Sequence, residues 1–248
     1  MSVIARLLVL PPAMLLGACS LFSTSQAPAP AAATPVVVAP PAPAAPDYAL
    51  HWYRDSAEQR AIYVETFRAA EAAARVASAG LAPRSWGVIL DIDETLLDNS
   101  EYEKRLNGAL YSPPTWNAWV RERAAAALPG AREFTQAVHD GLHGQVVLVT
   151  NRGAAQCADT EANLQAVGIL YDRILCDAVG DGDKNPRFRQ VQDAGGVAPL
   201  KIVLWMGDNI RDFPDLSQSN PGDPALFGTR YFVVPNPMYG SWVKNAAR

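Results

Sequence analysis

Asp91 and Asp93 stand two residues apart at the end of an apolar run, in the stretch Val88–Ser100, VILDIDETLLDNS. Carboxylates this close repel one another unless a cation or a proton joins them, so the pair points to metal binding or proton transfer rather than packing. The spacing faintly echoes a calcium loop. An EF-hand, however, needs Gly at its sixth position and Glu at its twelfth, where this chain has Leu96 and Tyr102. A strand-like run, not a helix, also precedes the acids. Glu94 has no role that its position dictates and reads as a solvated loop acid.

Further groups of the same chemical kind follow other apolar runs. VVLVT ends on Thr150-Asn151-Arg152, and IVLWM ends on Gly207-Asp208-Asn209, with Asp212 four residues beyond Asp208. Asp91, Asp93, Asp208 and Asp212 in one cleft call for a hard cation, and oxygen-only ligation favours Mg²⁺ over Zn²⁺. A carboxylate left free by the metal can attack phosphorus and form an aspartyl-phosphate. A second acid can protonate the leaving alcohol and then deprotonate water. Phosphoryl oxygens would further need hydroxyl, amide and ammonium donors, which Thr150, backbone N–H groups and a lysine could supply.

Positioning these groups requires a set of buried strands. Trp86–Leu90, Val146–Thr150, Arg173–Cys176, Ile202–Met206 and Tyr231–Val234 are short, nearly continuous apolar segments. Helical patterns separate them, which predicts a parallel sheet covered on both faces, an α/β fold. Ligands of such sheets bind at the carboxyl ends of the strands, where Asp91, Thr150 and Asp208 fall. Asp55-Ser56-Ala57-Glu58 has the form of a capping box, with Asp55 at the cap of a helix running to Gly80. Glu101–Gly144 shows no strand signal; the spacing predicts two or three helices, one after Pro113-Pro114-Thr115 and one after Pro129-Gly130. A further helix follows Thr150 through Gln165, closed by Gly168.

Aromatic residues close to these segments are candidates for holding a flat organic group. Trp116, Tyr239 and Trp242 could line a stacking slot, with Tyr239 and Trp242 in a Gly- and Pro-punctuated segment after the last strand. Trp119, inside a helical pattern, reads as core packing. Asn151 and Arg152 could contact substrate or order the edge loops.

The 248 residues are 49% hydrophobic and 19% charged, the composition of a folded protein with a real core. A net charge of −4 gives no case for a nucleic-acid polymer as partner. Three cysteines are too few for a disulfide framework. Cys157 and Cys176 both fall near the carboxyl edge, where a disulfide and burial as two small apolar side chains fit equally. The chain opens MSVIARLLVLPPAMLLGACS, an export signal too short and Pro-broken to span a bilayer. Leu21–Pro46 is rich in Ala and Pro and cannot bury a core. It reads as a semi-stiff tether, reaching on the order of 70 Å when extended.

Several of these stretches together resemble known sequences. DIDET, a strand ending on Thr150, then Lys184, then GDNIRD are similar to the signatures of the haloacid dehalogenase superfamily of phosphatases. DIDETLLDNS, YSPPTWNAWV, LVTNR, GDNIRDF and NPMYGSW more narrowly resemble the class C acid phosphatases, a lipoprotein 5′-nucleotidase family. The likeness runs from about Trp52 to Trp242. It implies a Rossmann-like parallel sheet with its first strand central, flanked by the second and fourth, and a small helical domain over the site from residues 47–80 and 101–144 of a phosphatase domain at 47–248. It implies Asp91 as nucleophile and metal ligand, and Asp93 as general acid–base that also binds Mg²⁺ through its carbonyl. Thr150 would hold the phosphoryl group, Lys184 would neutralise it, Asp208 would bind the metal and Asp212 would act through water. The LGAC ending resembles a lipobox, which implies a signal peptide at 1–18, acylation of Cys19 and a lipid-anchored tether at 19–46. Ser20 resembles the sorting pattern of outer-membrane lipoproteins, so the expected place is the outer membrane, facing the periplasm or the cell surface. The activity implied is Mg²⁺-dependent hydrolysis of phosphomonoesters such as nucleoside 5′-monophosphates. A nucleotide- or haem-binding lipoprotein without turnover, and a phosphotransferase of the same fold, are the alternatives.

Overall fold

A computed structural model describes residues 47–193 and 199–246. The expectations for the export signal, Cys19 and the tether lie outside the described residues. Among the described residues, no helix is long and apolar enough to cross a membrane.

The chain begins with α1 (Tyr48–Asp55) and α2 (Ala57–Ala77). The cap of α2 is Ser56 rather than the expected Asp55: its backbone is extended and its hydroxyl accepts the N–H of Gln59 at 3.0 Å. Asp55 instead ends α1, where it meets His51 one turn back at 2.9 Å. Next comes β1 (Trp86–Leu90), buried throughout, and then the acidic loop. Short β2 (Leu97–Asp98) pairs antiparallel with β3 (Ala126–Ala127), a strand inside a region expected to be wholly helical. Two residues are too few to leave a periodic pattern, and this pairing is made across the fold. Between them lie α3 (Ser100–Leu106) and α4 (Pro113–Glu122), the latter starting on its proline pair. Then follow α5 (Ala131–Gln136), continued by a π turn at Ala137–Gly141, and β4 (Gln145–Gly153). The remainder is α6 (Cys157–Ala166), β5 (Arg173–Asp177), α7 (Asn185–Gln192), β6 (Lys201–Gly207) and β7 (Tyr231–Val233).

The five longer strands form one parallel sheet in the order β5-β4-β1-β6-β7, so β1 is central and flanked by β4 and β6. Alternation along the strands sorts the core onto two faces. Val88, Leu90, Val146 and Leu148 pack with Tyr63, Phe67 and Ala70 of α2 and Phe134 of α5. Ile89, Val147 and Val149 pack with Phe188 and Val191 of α7 and with Phe213. Both faces are therefore dry, and the sheet's polar chemistry is confined to its carboxyl edge. There β4 departs from regular pairing: Val149 aligns with Leu175 but Gly153 aligns with Asp177. Two extra residues thus bulge out of β4 at Thr150–Arg152, which re-aims side chains at the rim.

Candidate active site

The nucleophile candidate Asp91 leaves β1 with its N–H still bonded to Met206 O of β6, at 3.0 Å. Its carboxylate accepts from Lys184 Nζ at Oδ1, and Lys184 Nζ also donates to Asp212 Oδ1 at 2.6 Å. Asp212, in a single helical turn at Ile210–Asp212, accepts the N–H of Asn209 at Oδ2, at 2.8 Å. This turn folds tightly over the end of β6. A Cβ on Gly207 would lie 2.2 Å from Asp212 Oδ2, so only glycine admits the Asp212 side chain here. Asp208 completes the group, its Oδ2 accepting from Asn236 Nδ2 at 2.8 Å.

Carboxylate oxygens of Asp91, Asp208 and Asp212 lie within 4.8 Å of one another. Burial first, then the neighbouring Asp212 and Asp93, push the Asp91 carboxyl up to about 7 against the pull of Lys184. Burial, Asp212 and Asp91 likewise raise Asp208 well above the usual carboxylate range. Three carboxylates this close, with Lys184 as the one ammonium bonded to them, are short of positive charge, and a hard divalent cation matches their all-oxygen donor set. Burial works against the Lys184 ammonium, but Asp212 and Asp91 outweigh it and raise its pKa.

Lys184 reaches this position because a long polar loop is pinned underneath. Asp177, ending β5, accepts the N–H groups of Val179, Gly180 and Gly182 at 2.7–3.0 Å. Lys184 then caps α7, and Arg187 one turn on donates to Thr150 O, to Asn151 Oδ1 at 2.8 Å and to Asp183 O at 3.1 Å. Arg187 thereby ties the lysine loop to the end of β4, a role that its place in DGDKNPRF did not signal. Cys157, opening α6, and Cys176 of β5 form a disulfide with Cα atoms 6.1 Å apart, closing the same edge. Thr150 is fully buried, and its hydroxyl accepts the N–H of Arg152 at 3.0 Å.

Asp93 has different partners from Asp91. Arg152 donates to its Oδ1 from Nη2 at 2.7 Å and from Nε at 3.0 Å, and Asn99 Nδ2 adds a third bond at 2.8 Å. Arg152 lines the cavity and also orders the edge: it is 2% exposed, and its Nη1 donates to Thr160 Oγ1 at 3.1 Å. Glu94 overturns its expectation as a solvated acid. It is fully buried, its Oε1 accepts the N–H of Asn99 at 2.7 Å, and its backbone sits at φ 55°. The tight turn that reverses the chain from β1 into β2 forces it inward, with Glu94 N bonded to Leu97 O and Glu94 O capped by the Tyr63 hydroxyl at 2.5 Å. Burial, then the charge of Asp93, pushes its carboxyl well above the usual range.

A cavity of about 690 Å³ opens over this edge, lined by Asp91, Asp93, Asn151, Arg152, Lys184, Asp208 and Asp212 at its floor. Trp116 and Tyr239 line it as well, together with Tyr102, Tyr111 and Arg211. Trp116 is braced by Tyr102, edge to face at 5.1 Å, and lies under the Arg152 guanidinium at 5.3 Å. Trp242 is not among the lining residues: its ring packs against Gly240, leaving it 41% exposed. Trp119 packs in the core as expected and donates Nε1 to Asn99.

Comparison with known proteins agrees with this arrangement. The family model "HAD superfamily, subfamily IIIB (Acid phosphatase)" matches residues 22–242. Among solved structures, the class C acid phosphatase from Bacillus anthracis superposes with a TM-score of 0.70 at 30% identity, covering 78% of this chain and 84% of that one. The same Bacillus anthracis enzyme with tungstate bound gives a TM-score of 0.70 at 29% identity with the same coverage. Match length, identity and the shared parallel sheet agree that this chain belongs to the class C acid phosphatases of HAD subfamily IIIB, enzymes that hydrolyse phosphomonoesters.

Proposed function

We propose that the chain hydrolyses nucleoside 5′-monophosphates and related phosphomonoesters with Mg²⁺ as its metal, through an aspartyl-phosphate on Asp91, outside the cytoplasm and anchored by acylated Cys19. The observation that carries the reading is Lys184, buried and bonded at once to Asp91 and Asp212 beside Asp208. That set supplies an attacking carboxylate, a fixed positive charge for phosphoryl oxygens and acids for a hard cation. When bound, Mg²⁺ would supply charge neutralisation at the phosphoryl oxygens. Asp91, Asp208 and the Asp93 carbonyl would hold it, with Asp212 contributing through water.

The residues of the chain divide the remaining work. An Asp91 oxygen attacks phosphorus as the ester P–O bond breaks, and Asp93 gives its proton to the departing alkoxide. The products of this half are the free alcohol and the phospho-Asp91 enzyme. Asp93, now a carboxylate, takes a proton from water as the water oxygen attacks phosphorus. The Asp91–P bond breaks, and inorganic phosphate and the starting enzyme result. Lys184 offsets charge on Asp91 and the phosphoryl group throughout, and the Thr150 hydroxyl hydrogen-bonds a phosphoryl oxygen without giving up its proton.

Trp116 and Tyr239 give the cavity two aromatic walls, which suits a nucleobase better than a sugar. That the related enzyme from Bacillus anthracis binds tungstate, a tetrahedral oxyanion of phosphate shape, supports the same ligand class here. The test is phosphate release from nucleoside 5′-monophosphates by the full chain in detergent, with and without Mg²⁺. Activity that survives Asp91→Asn, or complete chelation, overturns the mechanism. A phosphorylated product on adding glycerol would reveal transfer to alcohols beside hydrolysis.

A further inference from the structure

Asn99 has no part in the chemistry described above, yet it is fully buried at the point where three functional segments meet. Its Nδ2 donates to Asp93 Oδ1 at 2.8 Å and to Glu94 Oε2 at 3.4 Å. Its Oδ1 accepts from Trp119 Nε1 at 2.8 Å and from Arg152 Nη2 at 3.2 Å. Both amide protons and both oxygen lone pairs are therefore used. Only one orientation of the amide works, because the reverse would set its oxygen against two carboxyls and its NH₂ against two donors. Glu94 fixes the same residue from behind, through the Asn99 backbone N–H. Helix α4, carrying Trp119, is thus wired through one amide to the acid that follows the nucleophile.

The consequence falls on the two oxygens of Asp93, which are no longer equivalent. Oδ1 receives three donors, two from Arg152 and one from Asn99, whereas Oδ2 has only Arg152 Nε at 3.2 Å. A proton cannot sit on an oxygen whose lone pairs already accept three N–H groups. We propose that Asn99 is the positioning residue of the general acid: with Arg152 it occupies Asp93 Oδ1, so that Oδ2 alone carries the proton delivered to the leaving group. In the first half-reaction the Oδ2–H bond breaks, its proton goes to the ester oxygen as the P–O bond breaks, and Oδ2 keeps the electron pair. Water restores that proton in the second half. Asn99 touches neither substrate nor metal and acts only through Asp93. The inference rests on the general-acid reading of Asp93, and its test must separate the two.

Leaving-group dependence does so. An aliphatic ester such as glycerol phosphate needs its alkoxide protonated, whereas 4-nitrophenolate departs without help. kcat/KM on both esters is compared for the full chain and for Asp93→Asn, Asn99→Ala and Trp119→Phe. Asp93→Asn is expected to lose about a hundredfold or more on the aliphatic ester and far less on the nitrophenyl ester. Asn99→Ala is expected to lose roughly tenfold or more on the aliphatic ester and under about threefold on the other. Trp119→Phe, which keeps an aromatic ring in the core but removes one bond to Asn99, shifts the ratio the same way by a smaller factor. If Asn99→Ala does not fold, the Trp119→Phe ratio decides. Equal losses on both esters, or an unchanged ratio, in the variants at 99 and 119 overturn the positioning role while Asp93→Asn still discriminates. If Asp93→Asn does not discriminate either, the general-acid reading falls and this inference with it.

Discussion

Lys184 Nζ lies between Asp91 and Asp212 and donates to Oδ1 of each, with all three side chains buried. One ammonium therefore serves the nucleophile and the acid at the end of β6, and neither carboxylate has another cation within salt-bridge distance among the described residues. Lys184→Met should lower kcat by about a hundredfold to a thousandfold, the range for deleting one preorganised donor to developing charge. Lys184→Arg should rescue little, because a planar fork does not fit the place of a point charge. Steady-state phosphate release at saturating substrate checks both, and a kcat within threefold of the parent in Lys184→Met would contradict the role of this bridge.

Asp177 sets the reach of that lysine, since its carboxylate gathers the N–H groups of Val179, Gly180 and Gly182 at the start of the loop. Burial alone would raise its pKa, but the N–H groups of Gly180, Gly182 and Val179 outweigh burial and hold it below the ordinary aspartate value. A depressed folded pKa contributes stability that is fully present above the unfolded value of about 3.9 and disappears as pH falls through the folded value. The Tm gap between the parent and Asp177→Ala should therefore be constant from neutral pH down to about pH 5 and narrow only in the more acid range. Thermal melts across pH 3–8 test this, and a gap that widens toward acid would contradict it. Activity of Asp177→Ala should fall too, through loss of Lys184 placement.

How much of this was legible in the sequence differs by the range of the contacts involved. The three central strands β1, β4 and β6 were readable because they are buried on both faces, so apolar residues run on almost without interruption. Asp91, Thr150 and Asp208 were readable for the same reason, as the polar residues on which those runs stop. The error at α2 was one of local competition: Asp55 and Ser56 can both cap, and the Asp55 contact with His51 lets α1 keep the aspartate. Glu94, Asn99 and Arg187 were not readable, because their roles depend on residues far off in the chain. Tyr63 closes over the Glu94 carbonyl, Trp119 meets the Asn99 amide, and Thr150 meets Arg187 only once β4 has bulged. Trp242 was a candidate wall because it follows the last strand in a Gly- and Pro-punctuated segment, but its ring packs against Gly240 instead.

The Cys157–Cys176 bridge spans a sequence separation of 19 and ties the start of α6 to β5, the edge strand of the sheet. Closing a loop of that length restricts the unfolded chain by about 3 kcal/mol in the chain-entropy account. Cys157→Ser should lower Tm while leaving kcat at 25 °C within about twofold, because no reacting group is covalently involved. Thiol reductant should lower the Tm of the parent to that of Cys157→Ser and leave the variant unmoved. Equal melting of the oxidised parent and the variant would show that the bridge does not stabilise the fold.

Tyr239 and Trp116 stand on the lining of one cavity but are built differently. Trp116 is locked by Tyr102 and by the Arg152 guanidinium above it, so replacing it disturbs the clamp on Asp93 as well as any stacked ring. Tyr239 belongs to the segment after β7, where its N–H meets Asn236 Oδ1 at 3.4 Å, and its ring bonds to no reacting group. It is therefore the cleaner probe of ring recognition. Stacking on an aromatic face is worth ~1–3 kcal/mol per base, or about fivefold in KM at the lower end and tenfold at about 1.4 kcal/mol. Tyr239→Ala should raise KM for nucleoside 5′-monophosphates about tenfold with little change in kcat, and leave KM for glycerol phosphate unchanged. Trp116→Ala should instead lower kcat together with raising KM, because the Arg152 clamp loosens with it. Measuring both constants for both esters separates the cases. Parallel KM changes on the two esters in Tyr239→Ala would mean that the cavity selects for phosphate alone and takes no part in recognising a ring.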